Sequence, residues 1–425
     1  MALAPSQGQT FGYAVESALG TNGGTFTSLR VDDSIEYPTS TKVGVSNPNK
    51  GHAHPFNFSD KPIMIDKFRA DAVKFSTHIR RAAANDAAAP ICQFFESAGC
   101  NLATTTATTI KTYTSVTSFE LNNAGTAYGD IGKAILVELE NGTYYPSLVA
   151  AKTTDTVTPG MALPSAAGAA NAIEVMTTVW PRSRPVTSTK TLAFRHLARA
   201  THTSGEDLAY DLEGCAMTGI GELTLAPSTP PSMSFTFTAG KVDQKNVTLV
   251  AESFADSEKF AIVNDDFRFE TAASNVSGGI TRADGIIKEA KISWGIKSVP
   301  IIGEGSGVFA GIQGYLLQAD GMPKITITAE FSKAYWTAME GTNTNQYIGL
   351  VQPTTSLATP AFGFWAPACY LDGDTPPAID YKGDSYILAT VTYIATSAGY
   401  DTDTLPGDPG AAPWFFAISN QKAPV

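Results

Sequence analysis

Two histidines, His52 and His54, flank a single residue and have the spacing of a metal-ligand pair on a strand. No carboxylate or cysteine lies beside them to complete a coordination shell, and Gly51 and Pro55 indicate a loop. The other histidines are isolated in the sequence: His78, His196 and His202. Packed or surface histidines are therefore the favoured interpretation, and no metal site is predicted.

Acidic residues are the next candidates, because two carboxylates can serve as acid and base in glycoside hydrolysis. They form two groups: Asp265 with Asp266, and Asp372, Asp374, Asp380 and Asp384. Adjacent glycines give these acids a simpler role in turns, and nothing in the sequence surrounds one of them with apolar residues that would raise its pKa. We predict no catalytic residue.

A glycine-rich segment, residues 303–307 (GEGSG), is the nearest approach to a phosphate-binding loop. It lacks the lysine and serine or threonine that follow in a P-loop, so the segment indicates a hairpin tip. The sequence also contains no nucleophile elbow and no dinucleotide fingerprint. It therefore predicts a protein that is not an enzyme and has no cofactor.

Charge argues against tight nucleic-acid binding, because 40 acidic and 29 basic residues give a net charge of −11. The strongest basic cluster is Arg182, Arg184, Lys190, Arg195 and Arg199. A solvated or inter-subunit surface is the favoured interpretation of that cluster. With only 16% charged residues in 425, the chain has the composition of a protein that meets other protein.

Cysteine use and the first residues indicate the cellular setting. The four cysteines, Cys92, Cys100, Cys215 and Cys369, are widely spaced and are expected to be structural and reduced. Residues 1–5 lack the charge and apolar run of a secretion signal, and no apolar stretch reaches about 18 residues. We expect neither secretion nor a membrane span.

The elements that must position these residues are mostly strands. Alternation of apolar and polar residues with Thr on the polar side predicts half-buried antiparallel strands at 25–31, 135–140, 221–226, 232–238, 324–331 and 385–394. Turn residues at 140–143, 226–231 and 319–321 separate them. The fold class predicted is mainly β, an antiparallel sandwich or open barrel.

One short helix interrupts this pattern at residues 90–99, after a strand at 72–79. Ile91, Phe94, Phe95 and Ala98 form a single apolar stripe, with Asp86 as a predicted cap and Gly99 as the predicted end. The second half repeats the order in outline, with a strand at 324–331, a helix at 333–340 and a strand at 346–351. Two similar tandem domains are inferred, 1–248 and 249–425, each with one flanking helix; chance recurrence of a common motif is the alternative.

Two stretches are predicted to be long loops or arms, residues 153–171 and residues 399–425. The second contains Trp414, Phe415 and Phe416, so we expect part of it to dock on folded protein.

The order of elements resembles that of bacteriophage tail tube proteins. The resemblance is carried by residues 73–79 (VKFSTHI), 94–100 (FFESAGC), 207–218 (DLAYDLEGCAMT), 221–225 (GELTL) and 231–238 (PSMSFTFT). It covers roughly residues 66–242. For the second half of the chain, the resemblance rests on the repeated order of strand, helix and strand. Some long non-contractile tails use subunits with two tandem tube domains, and this is the type that the chain resembles.

The resemblance implies a structural virion protein that assembles with itself. Rings of three tandem-domain subunits, or alternatively of six, would stack into a hollow tail through which the genome is ejected. The implied partners are other copies, a tape-measure protein and tail-end proteins, with DNA passing the lumen without specific binding and no membrane contact. The implied locations are the virion and, during assembly, the host cytoplasm, and the family has no catalytic residues.

Further expectations concern surfaces. We expect Asp, Glu, Thr and Ser to line the lumen, and the amino-terminal arm, the 153–171 loop and the carboxy-terminal arm to make contacts between rings. The role of residues 102–180 stays open. The alternative functions are a carbohydrate-binding or carbohydrate-active β-protein, which needs clustered Trp and paired carboxylates, and another virion component such as a decoration or receptor-binding protein.

Overall fold

A computed structural model describes most of the chain. The described residues are 9–21, 26–31, 35–36, 41–42, 68–81, 88–122, 131–160, 162–182, 190–198, 207–247, 261–263, 267–272, 281–282, 287–302, 312–330, 346–374, 377–382, 386–397 and 412–420.

These residues form 27 strands and one helix. The first part contains β1 (Gln9–Glu16), β2 (Thr27–Ser28), β3 (Thr41–Lys42), β4 (Phe68–His78), the helix α1 (Pro90–Ser97), β5 (Asn101–Thr104), β6 (Thr108–Ser115), β7 (Ser118–Leu121), β8 (Ala134–Glu138) and β9 (Tyr144–Thr153). The middle part contains β10 (Thr156–Pro159), β11 (Ala172–Glu174), β12 (Met176–Trp180), β13 (Thr191–Ala198), β14 (Asp207–Ile220), β15 (Leu223–Leu225), β16 (Ser232–Val247), β17 (Arg268–Ala272) and β18 (Thr281–Arg282). The last part contains β19 (Ile287–Ser293), β20 (Ile296–Ile302), β21 (Ile312–Ala319), β22 (Lys324–Glu330), β23 (Gln346–Gln352), β24 (Phe362–Leu371), β25 (Ala378–Lys382), β26 (Tyr386–Ala395) and β27 (Phe415–Ser419).

The strands pair into four antiparallel units, so the prediction of a mainly β fold is confirmed. The outer sheet has seven strands in the order β2-β1-β13-β14-β16-β4-β3. The central sheet has twelve strands, eight of which follow the path β15-β19-β22-β26-β24-β23-β17-β18. Of the other four, β27 pairs with β24, β12 with β27, β5 with β12, and β25 with β26. A closed six-stranded barrel, β10-β7-β6-β11-β8-β9, and a two-stranded ribbon, β20-β21, complete the described fold.

Helix α1 is wedged between the outer and central sheets. Phe94 packs edge-on against Phe235 of the outer sheet, with ring centroids 5.1 Å apart. Its neighbour Phe95 points to the other side, where it lies 4.8 Å from Trp294 and 5.5 Å from Trp414. The predicted apolar stripe therefore divides between two sheets, and the helix joins them through one core.

The ends of the helix differ in how well they were predicted. Gly99 has φ +104° and its N–H donates to the Glu96 carbonyl at 2.9 Å, which confirms the left-handed end. The first turn follows Ala89 without a side-chain capping bond, and Asp86 lies outside the described residues. Pro90 has no backbone N–H, so the first turn has one donor fewer that needs an acceptor, and the need for a cap is smaller.

The central sheet is buried on both faces around β27. Phe416 and Ile418 face the core shared with α1, whereas Phe415 and Ala417 face the core shared with the barrel. β27 pairs with β12 on one side and with β24 on the other. The expectation that the 414–416 aromatics dock is confirmed, but the described part of the predicted arm, residues 412–420, is buried within its own chain.

The barrel accounts for most of the 102–180 region, whose role was left open. Residues 153–171, predicted as a long loop, include strand β10, which pairs with β7 and β9 and closes the barrel. Leu163 and Ala167 in the same stretch are buried. The loop prediction is therefore wrong for this part, because Gly, Ala and Pro here accompany a short strand and close packing.

Several other predictions can be compared with the fold. The strands predicted at 135–140, 221–226, 232–238, 324–331 and 385–394 are present as β8, β15, β16, β22 and β26. In the strand predicted at 25–31, Thr27 and Ser28 form β2, and the other described residues, 26 and 29–31, belong to no strand. The predicted helix at 333–340 lies outside the described residues. Strands from both sides of residue 248 share the central sheet, since β5, β12 and β15 belong to it. The division into two tandem domains stays a prediction.

Cysteines and membrane helices can also be judged. All four cysteines are free and buried, in agreement with their predicted structural role. Within the described ranges α1 is the only helix, and it is too short to cross a membrane.

Candidate functional surfaces

Among the acidic candidates, Asp372 has the contacts of a turn residue. Asp372 is buried, accepts a hydrogen bond from the Asp374 backbone N–H at 3.0 Å and forms an ion pair with Lys324 at 2.7 Å. This pairing raises the pKa of Lys324. Asp380 lies opposite Leu388 in the β25–β26 pair, and Asp265, Asp266 and Asp384 lie outside the described residues. The arrangement supports the structural interpretation of Asp372.

The described histidines are packing residues. His196 is buried with its ring centroid 6.3 Å from that of Phe11 and 6.4 Å from that of Tyr210. Burial lowers the pKa of His196, which favours the neutral ring. His78 lies opposite Ser232 in the β4–β16 pair. His52, His54 and His202 lie outside the described residues.

The basic cluster is divided between two environments. Arg195 makes a bidentate ion pair with Asp211, at 2.7 and 2.8 Å, and its guanidinium lies 4.4 Å from the centroid of the Phe26 ring. Burial raises the pKa of Glu96 on α1, and the nearby charges of Lys190 and Arg182 offset part of that rise. Arg184 and Arg199 lie outside the described residues. Three of the five bases therefore have acidic neighbours in the same chain.

The outer sheet carries pairs of hydroxyl side chains between neighbouring strands. Ser76 of β4 and Ser234 of β16 have their oxygens 3.1 Å apart, and Thr218 of β14 and Thr238 of β16 have theirs 3.3 Å apart. Farther along β16, Lys241 forms ion pairs with Glu213, at 3.1 Å, and with Asp243. The hydroxyl contacts follow from period-two alternation, since Phe235 and Phe237 on the same strand point into the core. We call these side chains the outer polar face.

The central sheet carries a second surface of the same type. Thr326 pairs with Thr392 and Thr328 with Thr390, each with hydroxyl oxygens 3.0 Å apart. The adjacent lysines are paired with acids: Lys288 with Glu330 at 2.8 Å, Lys291 with Glu289 at 3.1 Å and Lys324 with Asp372 at 2.7 Å. We call this surface the central polar face. It presents short hydroxyl side chains with compensated charge, so it offers little attraction to a polyanion.

The ribbon crosses from the central sheet to the outer sheet. Strand β20 lies against β14, and the Tyr315 hydroxyl of β21 is 2.6 Å from the Gly214 carbonyl and 2.9 Å from the Thr238 carbonyl. Apolar side chains are exposed at the two ends of the ribbon, Ile302 at 60% and Met322 at 61%. A cavity of about 400 Å³ opens at the Met322 end, and its lining contains no carboxylate. The ribbon therefore presents apolar contact area without a pair of catalytic acids.

A carboxylate pair that no sequence motif indicated lies on the barrel. Glu138 of β8 and Glu174 of β11 are close enough for the charge of Glu138 to raise the pKa of Glu174, after burial, to about 7. The only sequence signal is a single Glu inside each of two otherwise apolar segments, 134–139 and 172–176. The 35 residues between Glu138 and Glu174 carry no sign that β8 and β11 pair.

No protein-family model matches the chain, and no curated protein matches it. Any functional proposal therefore has to come from the residues and their geometry.

Proposed function

We propose that this chain is a structural virion protein, the subunit of a bacteriophage tail tube. Copies would close into rings, and stacked rings would enclose the channel through which the genome leaves. The observation that carries this proposal is the presence of two polar sheet faces, the outer and the central polar face, built from hydroxyl pairs with compensated charges. Most of these hydroxyl side chains are half-buried in the single chain, and Thr238 and Thr392 are buried.

These faces have the chemistry that a channel for DNA requires. Duplex DNA carries one phosphate charge per about 1.7 Å of its axis, and six to ten basic contacts change affinity by about 10³–10⁵ between low and moderate salt. A channel wall with that many basic contacts would hold the DNA in place. Hydroxyl groups and paired charges leave no net positive potential within a Debye length of about 8 Å, so the duplex can slide.

The long edge strand of the outer sheet is compatible with ring closure. Strand β4 has 11 residues and pairs along one side with β16. On its other side, the described residues that pair with it are β3, at Phe68 and Arg69, and Glu36, at Lys74. An unpaired edge accepts a strand from another chain, and closed rings remove such edges. We propose three subunits per ring, with six as the alternative, because each chain contributes two large sheets.

The proposal includes further partners and locations. A tape-measure protein and tail-end proteins would bind the assembled tube, and the subunit would occur in the virion and, before assembly, in the host cytoplasm. These proposals rest on the tail tube resemblance.

Negative-stain electron microscopy of the purified full chain, and of particles that contain it, tests the proposal. We expect hollow tubes with regularly stacked rings. Dispersed monomers at every protein concentration would contradict the proposal, and shells or isolated spikes would support another virion component instead.

A carbohydrate-active function is the second candidate, because Glu138 and Glu174 are paired carboxylates. The aromatic side chains argue against it, since four of the five tryptophans are buried: Trp180, Trp294, Trp365 and Trp414. A buried indole cannot stack on a sugar. Hydrolysis of a glycan by the wild-type chain, lost in both Glu138→Gln and Glu174→Gln, would favour this second function.

A further inference from the structure

Three oxygen-bearing side chains meet on neighbouring strands of the barrel. In the register of the pairs, Glu138 of β8 lies opposite Tyr144 of β9, and Glu174 of β11 lies opposite Leu136, two residues from Glu138. Residues two apart on a strand point to the same face, so Glu138, Glu174 and Tyr144 share one face. We call this group the barrel oxygen cluster.

Glu174 is the unusual member of the cluster. Its side chain is only 6% exposed, and its Oε2 atom has no hydrogen-bond partner. Glu138 is already held, because its Oε2 accepts a bond from the Ala172 backbone N–H at 2.9 Å and its carboxylate is bonded to the Tyr144 hydroxyl. A buried carboxylate oxygen without a partner, in a group close to a second carboxylate, is costly unless another group binds there.

We propose that the barrel oxygen cluster is a binding site for a divalent cation of the Ca²⁺ type. Ca²⁺ is a hard cation that takes carboxylate, carbonyl and water oxygens, and two carboxylates would neutralise its charge. Both acidic side chains are fixed by strands of a closed barrel, so the ligands are organised before the ion binds.

A proton is the competing occupant, and the geometry favours the cation. Oε2 of Glu174 has no hydrogen-bond partner, and a proton on that atom would neutralise only one of the two carboxylates. A cation instead binds both carboxylates at once. Burial and, to a smaller extent, Glu138 raise the pKa of Glu174 to about 7, so the ion would have to displace at most one proton near neutral pH.

The cluster lies where the barrel meets the central sheet. Tyr144 exchanges two backbone hydrogen bonds with Thr354, of 2.7 and 3.0 Å, and the Asn420 N–H donates to the Val175 carbonyl at 3.0 Å. Thr354 and Asn420 flank strands β23 and β27 of the central sheet. Ion binding at the cluster would therefore stabilise the attachment of the barrel as well as the barrel itself.

Terbium luminescence on the full chain provides the test. Tb³⁺ takes the same oxygen ligands as Ca²⁺, and a tyrosine beside the ion transfers excitation energy to it. At about pH 8, after chelator treatment, we expect Tb³⁺ emission under tyrosine excitation, displacement of that emission by Ca²⁺, and a Tm that rises with the logarithm of the Ca²⁺ concentration.

Variants identify the ligands. Glu174→Gln and Glu138→Gln should each lose the emission and the Ca²⁺-dependent rise of Tm. Glu120→Gln is the matched control, because Glu120 lies on β7 of the same barrel in a surface ion pair with Lys111, and it should behave as the wild type. If Ca²⁺ raises the Tm of Glu174→Gln as much as that of the wild type, or if neither ion affects the wild type, the proposal is wrong. A Tm that responds to pH alone would identify a proton as the occupant.

Discussion

Some positions in the central sheet have no space for a larger side chain, and Gly363 on β24 is one of them. A Cβ atom placed there would lie closer than 3.0 Å to the ring of Trp365, which is buried against the barrel. The ring cannot move away, because it belongs to the core between two layers.

Gly363→Ala should therefore destabilise the protein by about 1–3 kcal/mol, the range for overpacking a core. Gly373→Ala is the control, since a Cβ there would have no atom within 4 Å. Urea unfolding of both variants measures the difference. Equal free energies of unfolding would show that the Trp365 ring can be displaced easily.

The charge of Glu174 predicts a pH dependence of stability. Its pKa is raised from 4.5 to about 7, so the folded state holds a proton that the unfolded chain releases. The stability contributed by this group is fully present below about pH 4.5 and is lost as the pH rises through about 7. One pKa unit corresponds to about 1.4 kcal/mol, so we expect a loss of about 2 kcal/mol after allowance for solvent screening.

Glu174→Gln should remove this loss. In the presence of a chelator, its free energy of unfolding should fall less between pH 5 and 8 than that of the wild type, and Glu120→Gln should keep the wild-type fall. Urea titrations at several pH values measure the slopes. A parallel fall in Glu174→Gln would assign the pH dependence to other groups.

At the scale of elements, β27 has the largest predicted effect. Trp414, Phe415 and Phe416 are fully buried, and the strand fills the position between β12 and β24. Each buried aromatic side chain contributes about 3–5 kcal/mol, so losing all three approaches the whole stability of a domain.

A chain ended after Ala411 should fail to fold cooperatively. A chain ended after Asn420 keeps every described residue of β27 and should retain the native signal. Near-ultraviolet circular dichroism during urea unfolding distinguishes the two. A cooperative transition in the shorter chain would show that β12 and β24 close the gap without β27.

The helix and the strands also differ in whether they could be predicted from the sequence. Helix α1 and strands β22 and β26 were predicted because their patterns are local, a stripe of period 3.6 or strict alternation. Strand β23 was also predicted, at 346–351, although it is buried on both faces. Strands β12 and β27 are buried on both faces as well, so alternation disappears and no local pattern gives their partners. The barrel was missed for a related reason, since β10 is four residues long and pairing of β8 with β11 depends on distant contacts.

The candidate surfaces were predictable to different degrees. Serine and threonine on the polar side of strands such as β16 and β22 followed from alternation, so an expectation of hydroxyl-rich faces needed only sequence. Glu138 and Glu174 could not be paired in the same way, because their proximity depends on closure of the barrel and their environment on the sheet beneath it.

At the scale of the whole molecule, electrostatics distinguishes a channel wall from an ordinary surface. If the central polar face lines the lumen, Thr326→Lys combined with Thr328→Lys should make assembled tubes retain duplex DNA at low salt. The logarithm of the apparent binding constant should fall linearly with the logarithm of the salt concentration, with a slope of about −0.9 per phosphate contact. Thr326→Gln with Thr328→Gln matches the added bulk without the charge and should not retain DNA.

Nitrocellulose or fluorescence binding to assembled tubes over a salt series measures this effect. Tubes of the lysine variant that release DNA as readily as the glutamine variant would place the central polar face away from the channel, while leaving tube assembly itself intact.

The position of β27 in the sequence also constrains when a subunit can mature. Domains usually fold as they leave the ribosome, amino-terminal part first. Here β27, which pairs with both β12 and β24, is translated after every other described strand. In a nascent chain the edges of β12 and β24 that β27 covers therefore stay unpaired until residue 420 has been synthesised. If copies polymerise as proposed, assembly on growing polysomes would therefore be delayed until β27 has left the ribosome.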